Sequence, residues 1–491
     1  MSSATRRSHH QVTFAVLALA VAAYALLQSL VTPVLTTIQQ DLHTDQATVT
    51  WVLTAYLLSA SIFTPIMGRI GDAVGKERML LVTLAALAVG SVLAALATSI
   101  GVMIVARVIQ GIGGGVLPLA FGIVRDEFPA KKVSGAIGTL AALTAVGSGL
   151  GLVLAGPIVD LLDYHWLFWV PLIMVVLAGI ATVVFVPESP VRTANRISIL
   201  PALLLSAWLV CLLLAMSQAP SWGWTSGKVL GLLAAAVVLG VTWVLVESRS
   251  ASPLIDMTMM RLPAVWTTNL VALLVGVGMY ATFGFLPQFL QTPSAAGYGF
   301  GASITESGLI LLPSSVTMFI VGIASGPIAA RLGAKVTVLI GVIIAVVPFV
   351  LFAFAHDEKW ELYLATGIMG VGFGLVFAAM SSLIVSAVPP EQTGVASGMN
   401  ANIRTIGGSI GAALMASVVT AGAAPSGLPR ESGYTNGFIM LGGATVLAVV
   451  ATLLIPSLRK AGTDATTGHE EFRHAELGMV AGGTLIGDES E

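Results

Sequence analysis

The 491 residues carry 56% hydrophobic side chains, only 9% charged ones and 53 glycines, a mixture from which a water-facing surface cannot be assembled, so lipid is the expected solvent for most of the chain. A formal net charge of −2, with the basic residues scattered between apolar runs, offers no field for holding nucleic acid. The single cysteine, Cys211, lies inside an apolar run, which excludes an intramolecular disulfide and a cysteine-built metal site and leaves a small packing residue.

A helix that crosses the hydrocarbon needs about 20 largely apolar residues. Windows of that kind, separated by short polar or Gly/Pro breaks, run in chain order over 12–38, 49–69, 79–97, 101–122, 133–156, 166–186, 197–217, 228–246, 265–291, 306–328, 336–355, 361–385, 394–421 and 436–456, predicting fourteen spans. The first follows Arg6 and Arg7 and is too long for a signal-peptide core, so it is expected to be retained. The distribution of positive charge is an independent check, because one miscounted span would invert every later loop. With both termini placed in the cytoplasm, only Lys228, Lys359 and Arg430 of the 22 basic residues fall outside, and Arg107 and Arg404 fall within spans. The external loops carry acids and aromatics instead, such as Asp41, Asp163, Trp222 and Trp224.

The segment GRIGDAVGKER after the second span and GPIAARLGAK after the tenth share a spacing, with Gly68, Asp72 and Gly75 matched by Gly326, Ala330 and Gly333 at one constant offset. Internal similarity of this kind predicts two related bundles that open a central site to each side in turn. The expected organisation is a short cytoplasmic N-terminus (1–11), a six-helix bundle (12–187), a linker with two extra spans (188–263), a second six-helix bundle (264–456) and a disordered cytoplasmic tail (457–491). The GIGGG at 111–115 lies mid-membrane with no Lys-Ser/Thr after it, so it is not a phosphate loop.

With these motifs in place the chain closely resembles the major facilitator superfamily, and within it the 14-span drug:proton antiporters that export drugs and antibiotics. GRIGDAVGKER is similar to the superfamily's loop after the second span, RVIQGIGGG at 107–115 to its fourth-span motif, and GSGLGLVLAGP at 147–157 to the antiporter motif of the fifth. Trp51, Tyr56 and Leu58 resemble the second-span pattern, and SWGW and PLID resemble the linker of the 14-span branch. The resemblance implies an all-α protein of two six-helix bundles plus two central spans in a bacterial cytoplasmic membrane. It also implies a secondary exporter of drug-like compounds energised by protons, without a cofactor, nucleic-acid contact or obligatory protein partner.

Gly68 and Gly75 are expected to bracket a turn too tight for a Cβ, and Asp72 to accept hydrogen bonds at a helix start. The resemblance implies a latch that locks the bundles outward-facing, with Lys76 or Arg78 and Asp126 forming a charge relay; a solvated turn that merely sets topology is the plainer alternative. Arg107 is a guanidinium inside a span, tolerated only when paired or facing a polar cavity. By resemblance it takes part in proton coupling with Gln110; the alternative is a structural arginine bound to backbone carbonyls. Arg404 has the same character nearer a span end. Gly147 and Gly151, like Gly111 and Gly115 or Gly407 and Gly411, are spaced for close helix approach. Only Gly156-Pro157 remains of the Gly-Pro pairs that the antiporter motif carries, since Gly151 is followed by Leu152.

Cation exporters of this branch carry a first-span carboxylate where this chain has Leu27, and the acids nearest to spans, Asp72, Asp126, Asp160, Glu247 and Glu306, sit at span ends, so none is expected to be buried within one. A lipophilic cation in a low-dielectric cavity needs a counter-charge, so a neutral or anionic substrate is expected, with Asp160 and Glu306 as candidate proton sites. Polar side chains within spans predict the cavity lining: Gln28, Ser29, Thr32, Tyr56, Asn269, Tyr280, Gln288, Asn400, Asn402 and Arg404. Uptake or proton-independent transport of a metabolite is the alternative within this fold, and a non-transporting sensor is a further one. A membrane-embedded enzyme would need clustered catalytic groups, whereas the seven histidines are dispersed over termini and loops.

Overall fold

The computed structural model describes residues 10–44, 46–188, 199–250, 253–389, 392–421 and 429–456. The tail over 457–491 and the basic residues Arg6, Arg7, Arg192, Arg196, Arg459, Lys460 and Arg473 lie outside the described residues.

In chain order the helices are α1 (His10–Ser29), α2 (Leu35–Asp41), α3 (Gln46–Val74), α4 (Lys76–Ala95), α5 (Ile100–Gly111), α6 (Val116–Glu127), α7 (Ala130–Leu161), α8 (Trp166–Phe185), α9 (Ile199–Trp222), α10 (Gly227–Arg249), α11 (Met257–Met260), α12 (Pro263–Gln291), α13 (Ile304–Leu332), α14 (Ala334–Phe354), α15 (Lys359–Ala387), α16 (Thr393–Thr420) and α17 (Glu431–Leu453). Fourteen stretches among the described residues are long and apolar enough to cross a membrane, as expected. Two of them are interrupted. Pro33, which lacks an N–H and whose ring would strike the carbonyl of Ser29 in a regular helix, lies in a 3-10 turn at Thr32–Val34 that separates α1 from α2. In the fourth span, the glycines of Ile112–Gly115 tighten into a 3-10 segment between α5 and α6.

A bilayer environment is written into the burial pattern. Ile180, Val237 and Phe354 are among many large apolar side chains left exposed on helix sides, where an aqueous surface would carry charge. Helix α15 is the most enclosed, with 83% of its apolar window buried, whereas α10 is peripheral at 17%. Through Ile455 the chain forms one compact unit. Within it, one set of apolar clusters draws chiefly on α1 and α3–α8 and another chiefly on α12–α17. The two sets meet where α7 packs along α13 and α15 and where α3 and α6 pack against α16. The extra pair, α9 and α10, is held together by stacked Trp208 and Trp243, with ring centroids 5.6 Å apart, and α9 packs on α3 and α16. Thr54 and Ser217 are hydrogen-bonded at 3.0 Å, and Trp224 Nε1 donates to Ser417 Oγ at 2.7 Å.

The internal similarity has a structural counterpart. Gly75 (φ +133°) caps the start of α4 and Gly333 (φ +88°) the start of α14, both in a region that a Cβ disfavours. The expectation for Gly68 is corrected, because it lies inside α3 and forms no turn. Its missing side chain serves a helix crossing instead, since a Cβ there would stand 2.7 Å from the carbonyl oxygen of Gly394 in α16.

Candidate functional site

At the end of α3, two like charges and one opposite charge are removed from solvent together. Lys76 Nζ lies 2.7 Å from Asp126 Oδ2 and 3.6 Å from Asp72 Oδ1, and all three side chains are at most 1% exposed. Asp72 Oδ2 accepts from the backbone N–H of Val395 at 3.3 Å, in the first turn of α16, where unpaired N–H groups and the helix dipole favour an anion. Of the two candidate basic residues, Lys76 is the one in contact with Asp126, whereas Arg78, itself exposed, pairs with Glu188 at 3.3 Å.

Buried acids at span ends correct the expectation that no carboxylate is enclosed within a span. Asp72 and Glu247 are 1% and 2% exposed. The reason is that α3, α6 and α10 continue past their apolar windows, to Val74, Glu127 and Arg249. Neighbouring backbone covers the continuations: the start of α16 faces Asp72, and the N–H of Ile255 donates to Glu247 Oε1.

A second contact between the two sets of helices was not legible in the sequence. Arg125, at the end of α6, donates to the carbonyl oxygens of Val385 and Val388 and, at 2.8 Å, to Thr393 Oγ1. It thereby satisfies carbonyls that the end of α15 leaves without helical partners. The sequence offers a basic residue at a span end, which the topology rule explains fully, and no local signal for a partner more than half the chain away.

Asp256 of the PLID segment completes this face, accepting from Thr258 N–H at 2.8 Å and from Gln392 Nε2 at 3.2 Å. Partial burial alone would raise its carboxyl, but these hydrogen bonds to the ionised form outweigh it and hold the group below the ordinary carboxylate value. A depressed folded value contributes stability that is present above the unfolded value and is lost as pH falls through the folded one. Asp256→Ala is thus expected to cost about 0.5–2 kcal/mol at neutral pH, the range for a lost N-cap. Denaturation of both proteins at pH 7 and near pH 3 should show the difference shrinking in acid; a constant difference would locate the effect elsewhere.

Between the two sets of helices lies a cavity of about 310 Å³. Gln28, Ser29, Thr32, Tyr56 and Arg107 line it from one set, and Tyr280, Asn400 and Arg404 from the other. Arg107 is fully buried: its Nε donates to the Val52 carbonyl at 3.1 Å, its Nη1 donates to Gln110 Oε1 at 2.8 Å, and its Cζ sits 4.2 Å above the Tyr56 ring. Gln110 Nε2 in turn donates to Ser91 Oγ at 3.1 Å. Both alternatives for Arg107 thus have a geometric basis, a backbone carbonyl on one side and the cavity on the other.

Other expected residues stand apart from this lining. Asn269 is behind it, accepting from Asn400 Nδ2 at 2.9 Å; Asn402 belongs to a smaller recess of about 40 Å³; and Gln288 is exposed near the end of α12. Asp160 is exposed, and Glu306 is paired with Lys359, so neither borders the cavity. Gly147 and Gly151 set α7 against Ala25 and Leu26 of α1, while Gly156, beside Pro157, sets it against Thr305 of α13. One helix is therefore smooth on two sides. One histidine, His356, comes together with Asp357 and Glu431 away from the cavity, with His356 Nε2 and Glu431 Oε1 2.9 Å apart.

The family model described as Major Facilitator Superfamily matches residues 17–412, and again 268–482. The chain is 28% identical over 370 residues to the multidrug transporter protein MdtP of Bacillus subtilis (strain 168), covering 74% of this chain and 66% of that protein. It is 29% identical to the tetracenomycin C resistance and export protein of Streptomyces glaucescens and 30% identical to the multidrug resistance protein Stp of Mycobacterium tuberculosis (strain ATCC 25618 / H37Rv), each match covering 76% of this chain and 69% of the relative. The matched region thus spans about two thirds of the length of these relatives. Among solved structures, the human organic anion transporter MFSD10 (TETRAN) aligns with a TM-score of 0.65 at 18% identity, covering 91% of this chain and 99% of that one. At that identity the likeness speaks for the fold alone.

Proposed function

The chain belongs to the Major Facilitator Superfamily, a family of transporters and not of enzymes, and from that premise we propose that it exports small amphipathic, antibiotic-like compounds across a bacterial cytoplasmic membrane in exchange for protons. The observation that carries this reading is a cavity walled by both sets of helices; outside its lining, the buried Asp72–Lys76–Asp126 cluster, through Val395, and Arg125, through Thr393, tie the same two sets together. Rocking of residues 12–187 against 264–456, with 188–263 linking them, would expose that cavity to each side in turn. The cluster, with Gly68, Gly75 and Arg78 around it, is then the latch on the cytoplasmic face, and both termini lie on that side. Arg107 and Gln110 couple transport to protons. The smooth faces of α7 at Gly147, Gly151 and Gly156 permit the sliding that the motion requires. The names of the relatives, which concern drug resistance and export, support the substrate class.

The absence of an acid among the described cavity-lining residues favours a second reading, proton-independent transport by the same fold. One experiment separates them: a drug-susceptibility panel in a pump-deficient bacterial host, with and without a protonophore. The exporter reading expects resistance to at least one amphipathic compound and lower cellular accumulation of it, both lost when the proton gradient collapses. Accumulation unaffected by the protonophore would favour the second reading.

A further inference from the structure

Two guanidiniums carried on membrane-spanning helices, Arg107 and Arg404, line the same cavity, one from each set of helices, and each lies over an aromatic ring. Arg404 Cζ is 4.7 Å from the Phe377 centroid, as Arg107 Cζ is 4.2 Å from that of Tyr56. Burying a cation in a low-dielectric interior is expensive unless an opposite charge stands beside it. None is at hand here. The cavity lining contains no acidic residue among the described residues, and the buried carboxylates Asp72 and Asp126 are committed to Lys76. Nor are the guanidinium donors used up, since Arg107 Nη2 and Arg404 Nε are buried without a hydrogen-bond partner, as is Ser397 Oγ on the same wall. Unspent charged donors of this kind ask for an acceptor with negative charge.

The remainder of the wall describes the body attached to that charge. Leu53, Leu57, Phe121, Met279, Phe283 and Met318 form apolar and aromatic surface, and a volume of about 310 Å³ is at the size that accepts a drug-like ring system. A small inorganic anion would leave most of this surface unfilled.

We propose that the central cavity is an organic-anion site, in which the acidic group of an aromatic substrate is bound chiefly by Arg404, with Arg107 Nη2 as second donor and the ring system against the apolar wall. The inference deepens the export reading and rests on it for the direction of transport, but binding can be measured without flux. Purified full-length protein in detergent would be titrated, by fluorescence anisotropy, into two dyes of one xanthene scaffold, anionic fluorescein and cationic rhodamine 123. Fluorescein should bind at least about tenfold more tightly, and Arg404→Gln should weaken it by about tenfold or more, as expected for one charge-assisted hydrogen bond. Arg404→Lys, which keeps the charge, should retain most of the preference and guards against a variant that merely misfolds. Equal affinities, tighter binding of rhodamine 123, or no measurable binding of fluorescein would overturn the proposal. Flux in proteoliposomes under an imposed proton gradient then tests the other reading. Anion preference without flux would refute export and leave the site standing, whereas flux of both dyes without preference would do the reverse.

Discussion

Replacing Lys76 by methionine is expected to lower the stability of the protein by about 3–5 kcal/mol, the scale at which removing one partner from a buried ion cluster exceeds the loss of the contact itself. The ammonium is the cation lying between Asp72 and Asp126, at 3.6 and 2.7 Å, and none of the three side chains is more than 1% exposed. Without it, two carboxylates would face each other away from water, so protonation, water entry or separation of α3 from α6 must follow, each at a cost. The double exchange Lys76→Met with Asp126→Asn should recover a large part of the loss, because it leaves Asp72 on the N–H of Val395 with no second anion beside it. Denaturation of the purified protein, with the double-mutant comparison, measures both quantities. A loss below about 1 kcal/mol, typical of a hydrated surface pair, would mean that the cluster is wet and is no latch.

A valine at Gly68 is expected to act on conformation more than on folding. The crossing of α3 and α16 has no room for a side chain, as a Cβ on Gly68 would meet the carbonyl oxygen of Gly394 at 2.7 Å and its carbonyl carbon at 2.9 Å, both backbone atoms that cannot turn away. The facing positions are equally tight, since a Cβ on Gly394 would lie 3.0 Å from both Asp72 oxygens and one on Gly398 3.1 Å from the Pro65 Cα. Overpacking of this sort costs about 1–3 kcal/mol, and here that cost falls on the close α3–α16 crossing, the shut form of the proposed latch. Separating the two helices relieves it. A bias of that size shifts the ratio of shut to open forms by roughly 5- to 150-fold. The expected result is a protein that folds, loses most of its export, and makes a cysteine placed at Ser397 accessible to a thiol reagent from the latch face, measured against the background of Cys211. A Gly68→Val protein with wild-type export and an unreactive Ser397→Cys site would show that the crossing does not govern access.

How far the sequence reached can be judged residue by residue. The fourteen spans were legible because lipid imposes a local rule: every backbone group must be satisfied within its own segment, and the required apolar length can be counted from the sequence. Pro33 and the glycines at 111–115 punctuate those spans for equally local reasons. Arg107, Asp72 and Lys76 drew notice because a charge in or beside a span is costly wherever it points. Leu27, in place of a first-span acid, was readable too, and the described lining of the cavity holds no acid.

The fold, the number of spans and the residue types available to a central site were therefore determined by the sequence alone, since each follows from the cost of exposing a particular group to lipid. Only the tertiary structure decided the partners. It put Val395 beside Asp72, gave Arg125 the end of α15, moved Gly68 from a turn to a helix crossing, withdrew Asn269 and Gln288 from the cavity wall, and brought Arg404 and Arg107 to one cavity whose described lining holds no carboxylate. Those pairings join residues hundreds of positions apart, and their energies depend on distance and desolvation at the contact, quantities that exist only once the helices have packed.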